Sequence, residues 1–229
     1  MTVGDEILRR LRMQYRIQAE EYVSLYTHLQ SRDPFQVLVA TILSQNTTDK
    51  AALNALKTLE RDVGLSPPAI LGAGRRRVEK AIRMAGMYRS KAQYLLEVSR
   101  IIVERYGGDM WNLLKGDAGE VRERLMELPG VGRKTADVLL TTMGIIHTVP
   151  VDTHVRRVSA RLGLIDEGAS YEMVRKRLED VFSAGSRHLA HLLLIAHGRR
   201  VCRARRPLCG DCVLNDLCKY YREIRKNQL

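Results

Sequence analysis

The chain has 229 residues, enough to bury one large core or two small ones, and sets 38 Lys and Arg against 26 Asp and Glu for a formal charge of +12. That excess points to a polyanionic partner, while two Phe, one Trp and nine Tyr are too few for a protein that grips single strands chiefly by stacking. No stretch reaches the length of a membrane span and residues 1–17 are charged, so a basic cytosolic protein with no membrane partner is expected.

Helical period and punctuation run through almost every segment. Asp33-Pro34 reads as N-cap and first helical position ahead of the apolar run Phe35–Leu43. Thr47 or Thr48 caps a helix over Asp49–Leu59, Ser66-Pro67 opens a short one, and Arg76–Ala85 predicts another that ends at Gly86. Ser90–Tyr106 is amphipathic and stops at Gly107-Gly108, and Asp117 with Glu120 three residues on is a capping box for a helix through Glu127. Further helices are expected at Arg133–Met143, Thr153–Leu162, Tyr171–Phe182 and His188–Gly198. Only Ile145–Val151 has β-branched bias, and Pro150 breaks it. With no repeats and no low-complexity linker, the pattern predicts a compact all-α fold.

The segment LPGVGRKTADVLL, Leu128–Leu140, joins two of these helices through a link too short for anything but a tight hairpin. Gly130 and Gly132 let the backbone turn sharply and leave N–H groups bare at a helix N-terminus, a ready phosphate site, although such a turn can also be mere connection. Lys134 falls in the first turn of the second helix, beside Arg133. The positive end of the helix and the adjacent cation disfavour its ammonium, whose ordinary pKa is about 10.4. Sequence chemistry leaves two roles open for it: a nucleophilic amine or a phosphate grip. Asp152, in Val149-Pro-Val-Asp-Thr-His154, precedes a helical run and reads first as an N-cap. A cap pins its carboxylate, so capping and catalysis are compatible. His154, in the first turn, reads as structural.

Cys202, Cys209, Cys212 and Cys218 are the chain's four cysteines, spaced C-x6-C-x2-C-x5-C. A chain of this size without a secretion signal has little use for disulfides. The quartet reads as one four-thiolate metal site. Only Cys209 and Cys212 form a tight pair where zinc sites usually offer two, so an iron–sulfur cluster is favoured and zinc stays the rival.

In this order, LPGVGRKTADVLL, VPVDTHVRRVSARLGL and the cysteine quartet resemble the endonuclease III family of helix–hairpin–helix DNA glycosylases, over about Pro34 to Cys218. The resemblance implies two α-helical domains with duplex DNA in the cleft between them. One is a six-helix barrel holding the hairpin (27–146); the other is discontinuous (1–26 and 147–229) and ends in a loop binding one [4Fe–4S] cluster. It places the family's nucleophilic lysine on Lys134 and its catalytic aspartate on Asp152. It implies a monomeric, bifunctional glycosylase and AP lyase acting on damaged pyrimidines or abasic sites in the nucleoid of a prokaryotic cytoplasm. The hairpin residues Leu128, Gly130, Val131, Gly132 and Arg133 would meet the DNA backbone. Residues 42–49 resemble the family's intercalating loop, with Asn46 at the insertion position and Gln45 as the alternative. Residues 85–92 resemble its wedge loop, with Met87 as the wedge or else a core methionine. Cysteine coordination would close the loop Arg203–Leu208 and present Arg203, Arg205 and Arg206 outward. A uracil or thymine–guanine mismatch glycosylase of the same fold, and a non-catalytic iron–sulfur redox sensor, are the alternatives. An adenine glycosylase is not expected, since its additional C-terminal domain has no counterpart here.

Overall fold

The computed structural model describes residues 2–226, and among them the fold is all helical, with no strand. These residues form two compact units, Gln18–Ile146 and, for the rest, residues 2–17 with 147–226. The first unit starts at Gln18 and not at the expected Thr27. A helix, Val23–Ser31, runs through that point, and Thr27 is buried with its hydroxyl donating to Val23 O, so the chain cannot change units there.

The first unit is built around one apolar helix. α1, Val3–Gln14, belongs to the other unit; α2 is Val23–Ser31 and α3 is Pro34–Leu43. Nine of the ten α3 residues are buried, which is why its sequence shows an apolar run rather than a stripe. Asp33 caps it by accepting from Phe35 N at 2.8 Å, with Pro34 at the first position. α2, α4 (Asp49–Asp62) and α6 (Tyr88–Tyr106) pack against α3, as do α7 (Met110–Leu113) and α9 (Arg133–Thr142). α8, Ala118–Met126, packs on α9 and completes the hairpin. α5, Pro67–Ala81, is capped by Ser66 and bends at Gly74, whose φ of 69° breaks the helix just before the predicted start at Arg76. Its second arm stops at Ala81, and Arg83–Ala85 tightens into a single 3₁₀ turn.

A bidentate ion pair locks the hairpin. Arg122 of α8 donates Nε and Nη2 to the fully buried Asp137 of α9, at 2.6 and 3.2 Å. In the sequence Asp137 looks like one more polar residue on a helix; its partner lies fifteen residues away.

The second unit adds α10 (Thr153–Leu162), α11 (Tyr171–Val181), α12 (Arg187–Arg200) and α13 (Lys219–Lys226) to α1. α12 is the central helix here, buried from Ala190 through Gly198. At Gly198 a Cβ would come within 2.9 Å of the His154 Cβ, so glycine sets how closely α12 approaches α10. The β-branched stretch Ile145–Val151 is an irregular connection with Val149, Pro150 and Val151 buried. No described helix is long and apolar enough to cross a membrane.

Candidate functional site

In the hairpin, Gly130 takes φ 78°, and a Cβ on it would stand 2.5 Å from Tyr94 Cδ2. Only glycine meets both demands. Leu128 and Val131 turn their side chains into the core, so whatever they offer outward is backbone. Gly132 is exposed and caps α9, Arg133 is exposed at the first helical position, and Lys134 is half-buried at the second. The first N–H groups of α9 have no acceptor within the helix, so a positive helix end faces outward at the turn.

Asp152 is the N-cap of α10, and its Oδ1 accepts from Val155 N at 2.7 Å. Val151 and Val155 on either side are buried, which fixes the backbone that carries the carboxylate. His154 is half-buried. Its Nδ1 lies 3.1 Å from Arg157 Nη2 and burial lowers its pKa, which fits the structural role read from its position.

The loop after α3 separates the two candidates for insertion. Gln45 Nε2 donates to Gly130 O at 2.9 Å and to Thr135 Oγ1 at 3.2 Å, so this amide braces the hairpin. Asn46 is exposed, with φ 52° and its Nδ2 3.6 Å from Met87 Sδ. Met87 is 57% exposed, with φ 45°, which excludes the core-methionine reading. Beneath both lies Lys91, a residue the sequence reading passed over. It is 1% exposed, burial brings its pKa down to about 8, and its Nζ donates to Leu43 O and Ala85 O, each at 2.8 Å. A signal was present: Lys91, Leu95, Val98 and Ile102 share one face at helical spacing, and that face is the buried one of α6.

In the second unit the four cysteines are unpaired by disulfides and line one pocket, together with Val158, Arg161, His197 and Tyr220. A zinc ion with four thiolates at about 2.3 Å needs sulfurs only about 3.8 Å apart. Among the described residues no three Cys, His, Asp or Glu side chains converge in a way that would hold a single ion. Four thiols around a shared volume suit a polynuclear cluster. Burial pushes the Cys212 thiol up to about 11 and raises Cys209 and Cys218, with the neighbouring thiols acting in the same direction. A bound cation centre is therefore what would hold these groups as thiolates.

A second layer, absent from the sequence reading, orients the ligands. His197 Nε2 lies 3.5 Å from Cys212 Sγ and its Nδ1 3.0 Å from Tyr15 OH, and burial takes this imidazole down to about 4, a neutral ring. Arg161 Nη1 reaches Cys202 Sγ at 3.4 Å and Arg203 O at 2.7 Å, while its Nη2 donates to Ala204 O at 3.1 Å. Arg157 adds a bond from Nε to Cys202 O at 3.0 Å. The loop is thus held from α10 as well as by its cysteines, and Arg203, Arg205 and Arg206 are all exposed on it. Arg203 Nε turns back to Arg200 O at 3.1 Å, and Arg206 adopts φ 50°.

Comparison with known proteins accounts for this combination of hairpin, capped aspartate and cysteine pocket. Residues 39–184 match the HhH-GPD superfamily of base excision DNA repair proteins, and residues 202–218 match the iron–sulfur binding domain of endonuclease III. The chain is 38% identical to the endonuclease III of Sulfolobus acidocaldarius, covering 99% of this chain and all of that one. It is 37% identical to that of Escherichia coli, covering 96% of each. A solved structure of a trapped endonuclease III–DNA covalent intermediate superposes with a TM-score of 0.81 at 30% identity, over 98% of this chain and all of the other. With identity at this level running end to end, the chain belongs to the endonuclease III family of the HhH-GPD superfamily, and its four cysteines form that family's iron–sulfur binding domain.

Proposed function

We propose that this chain is a bifunctional DNA glycosylase and AP lyase that removes damaged pyrimidines from duplex DNA and nicks the strand 3′ to the abasic site. The observation that carries the reading is Lys134, a half-buried amine at the second position of α9, directly after the Gly130–Gly132 turn. The turn offers backbone N–H groups and a helix end to phosphate, which sets the lysine at a fixed distance along a strand. The neutral amine of Lys134 attacks C1′ of the extruded nucleotide. The C1′–N bond breaks, and the base leaves with the electron pair and takes up a proton. The C1′–O4′ bond of the amine adduct then breaks, opening the sugar to a protonated Schiff base with O4′ taking up a proton; a 2′ proton is lost, and the 3′ phosphate departs by β-elimination. Asp152, fixed by its cap, stabilises the positive charge that develops at C1′ and accepts the proton from Lys134.

Asn46 and Met87 fill the space the base vacates, since both are exposed and meet side by side. Gln45 is assigned to bracing the hairpin and not to insertion. Arg133 and the backbone of Leu128–Gly132 contact phosphate, as do Arg203, Arg205 and Arg206 of the cysteine loop. Cys202, Cys209, Cys212 and Cys218 hold a [4Fe–4S] cluster, which supplies charge and cross-linking to the loop and takes no part in base chemistry. The protein works as a monomer in a prokaryotic cytoplasm.

Borohydride reduction in the presence of an abasic duplex tests the assignment. Wild type is expected to give a covalent adduct and Lys134→Ala none. No adduct from the wild type refutes the lyase, and an undiminished adduct from the variant refutes the nucleophile.

A further inference from the structure

Asn46 and Met87 share an unusual feature: both adopt left-handed backbone, at φ 52° and 45°, without being glycine. For a side chain as large as methionine this conformation persists only where the surroundings enforce it. The two side chains also touch, amide nitrogen to sulfur at 3.6 Å, although they stand on loops separated by the whole of α4 and α5.

One side chain reaches the roots of both loops. Lys91 sits on α6 one turn after Met87, among the buried residues of that helix. Its Nζ donates to Leu43 O, the last residue of α3, and to Ala85 O, in the 3₁₀ turn. Leu43 precedes Asn46 by three residues and Ala85 precedes Met87 by two. Two chain ends therefore present carbonyls to the same buried point. A long flexible stem tipped with several donors can satisfy both, and no apolar residue of that helix face could.

We propose that Lys91 is a positioning residue for base extrusion: it cross-links the α3 terminus to the Ala85 turn and holds Asn46 and Met87 as one paired wedge. This rests on the reading above that the two residues enter the base stack. It separates two kinds of substrate. A duplex must be opened and its gap filled, whereas an abasic site in a single strand has no stack to open, so the clamp matters only for the first.

The test uses cluster-loaded Lys91→Met, which keeps the length of the stem and removes the donors, together with Lys91→Arg. Base release from a duplex carrying an oxidised pyrimidine is read beside nicking of a single strand carrying an abasic site. Lys91→Met is expected to lose about a hundredfold on the duplex, chiefly in kcat, and less than about threefold on the single strand, the scale of loss set by a reacting geometry displaced by about 1 Å. The fluorescence rise of 2-aminopurine placed next to the lesion should vanish with it, and Lys91→Arg should restore part of both. Equal losses on the two substrates, or no loss on either, overturn the proposal. Should Lys91→Met fail to fold, Lys91→Gln, which retains one donor group, carries the same comparison. The double variant Asn46→Gly with Met87→Ala separates the layers. If it keeps duplex activity, the wedge reading itself fails; if it loses that activity while Lys91→Met keeps it, the clamp alone fails.

Discussion

The proposed function gives Asp152 two jobs, cap and catalytic carboxylate, that substitution can pull apart. Its Oδ1 accepts from Val155 N at 2.7 Å, between buried Val151 and Val155, so the cap is well formed. Replacing an N-cap carboxylate by alanine costs about 1 kcal/mol, and asparagine caps about as well as aspartate. In a chain of this size about 1 kcal/mol corresponds to roughly 2–4 °C in Tm. Asp152→Ala should therefore melt a few degrees below wild type, and Asp152→Asn within about a degree of it, its cap being worth nearly the same. Activity should not follow stability. Both variants lose the negative charge that the proposed mechanism sets against C1′, and removing one preorganised electrostatic group of this kind costs about 10²–10³ in rate, or about 3–4 kcal/mol. The assay pairs a thermal melt with single-turnover base release on a duplex carrying an oxidised pyrimidine. Asp152→Asn releasing base within about threefold of wild type, under about 1 kcal/mol of barrier, would show that the carboxylate only caps the helix. Equal melting of the alanine and asparagine variants would show that the cap contributes nothing to stability.

Two other substitutions probe the contact surfaces. Gly130→Ala must accommodate a Cβ 2.5 Å from the Tyr94 ring while staying at φ 78°; overpacking of that kind costs about 1–3 kcal/mol. It is expected to lower Tm by several degrees and to weaken binding to an abasic duplex, both measurable on one preparation; an unchanged melt would mean the turn relaxes freely. Arg206→Ala should reduce the log–log salt slope of duplex binding by about 0.9 and leave the visible absorbance of the cluster intact. Lost absorbance would mean that the exposed guanidinium supports the cysteine loop.

Much of this architecture announces itself at helix starts. Asp33, Thr48, Ser66, Asp117 and Asp152 were readable as caps, and each accepts from a backbone N–H of its own first turn. α2 has no such side-chain cap, so no local signal marks it or the start of the first unit at Gln18. The break in α5 was visible only as two helical patterns, since Gly74 is one of many glycines until its φ is known. Adjacent residues were the hardest case. Gln45 and Asn46 have similar amides, and only the fold shows that one reaches Gly130 and the other faces outward beside Met87. The supports of the cysteine loop are illegible for a related reason. Tyr15 and His197 stand 182 residues apart and bond at 3.0 Å, a pairing that no local pattern carries.

The assigned residues share a placement that follows from what helices can and cannot do. Lys134 is the second residue of α9, Asp152 the cap of α10 and Met87 the cap of α6; Asn46 lies three residues past α3 and Cys202 two past α12. A helix interior spends its polar backbone on itself and one stripe of its side chains on packing. Its ends keep bare N–H or C=O groups and still inherit the rigidity of the packed helix behind them. Phosphate recognition, a pinned carboxylate and a wedge all need that combination. The accompanying strain at Asn46, Met87 and Arg206 falls where the supports are densest: Lys91 beneath the first two, and Arg157 and Arg161 behind the loop carrying the third. At Asn46, Met87 and Arg206 a cation thus donates to backbone carbonyls near the strained residue: buried Lys91 for the first two, half-buried Arg157 and Arg161 for the third. That arrangement stiffens an exposed loop without a core of its own, because charged donors on the packed helix behind it satisfy the carbonyls at its base.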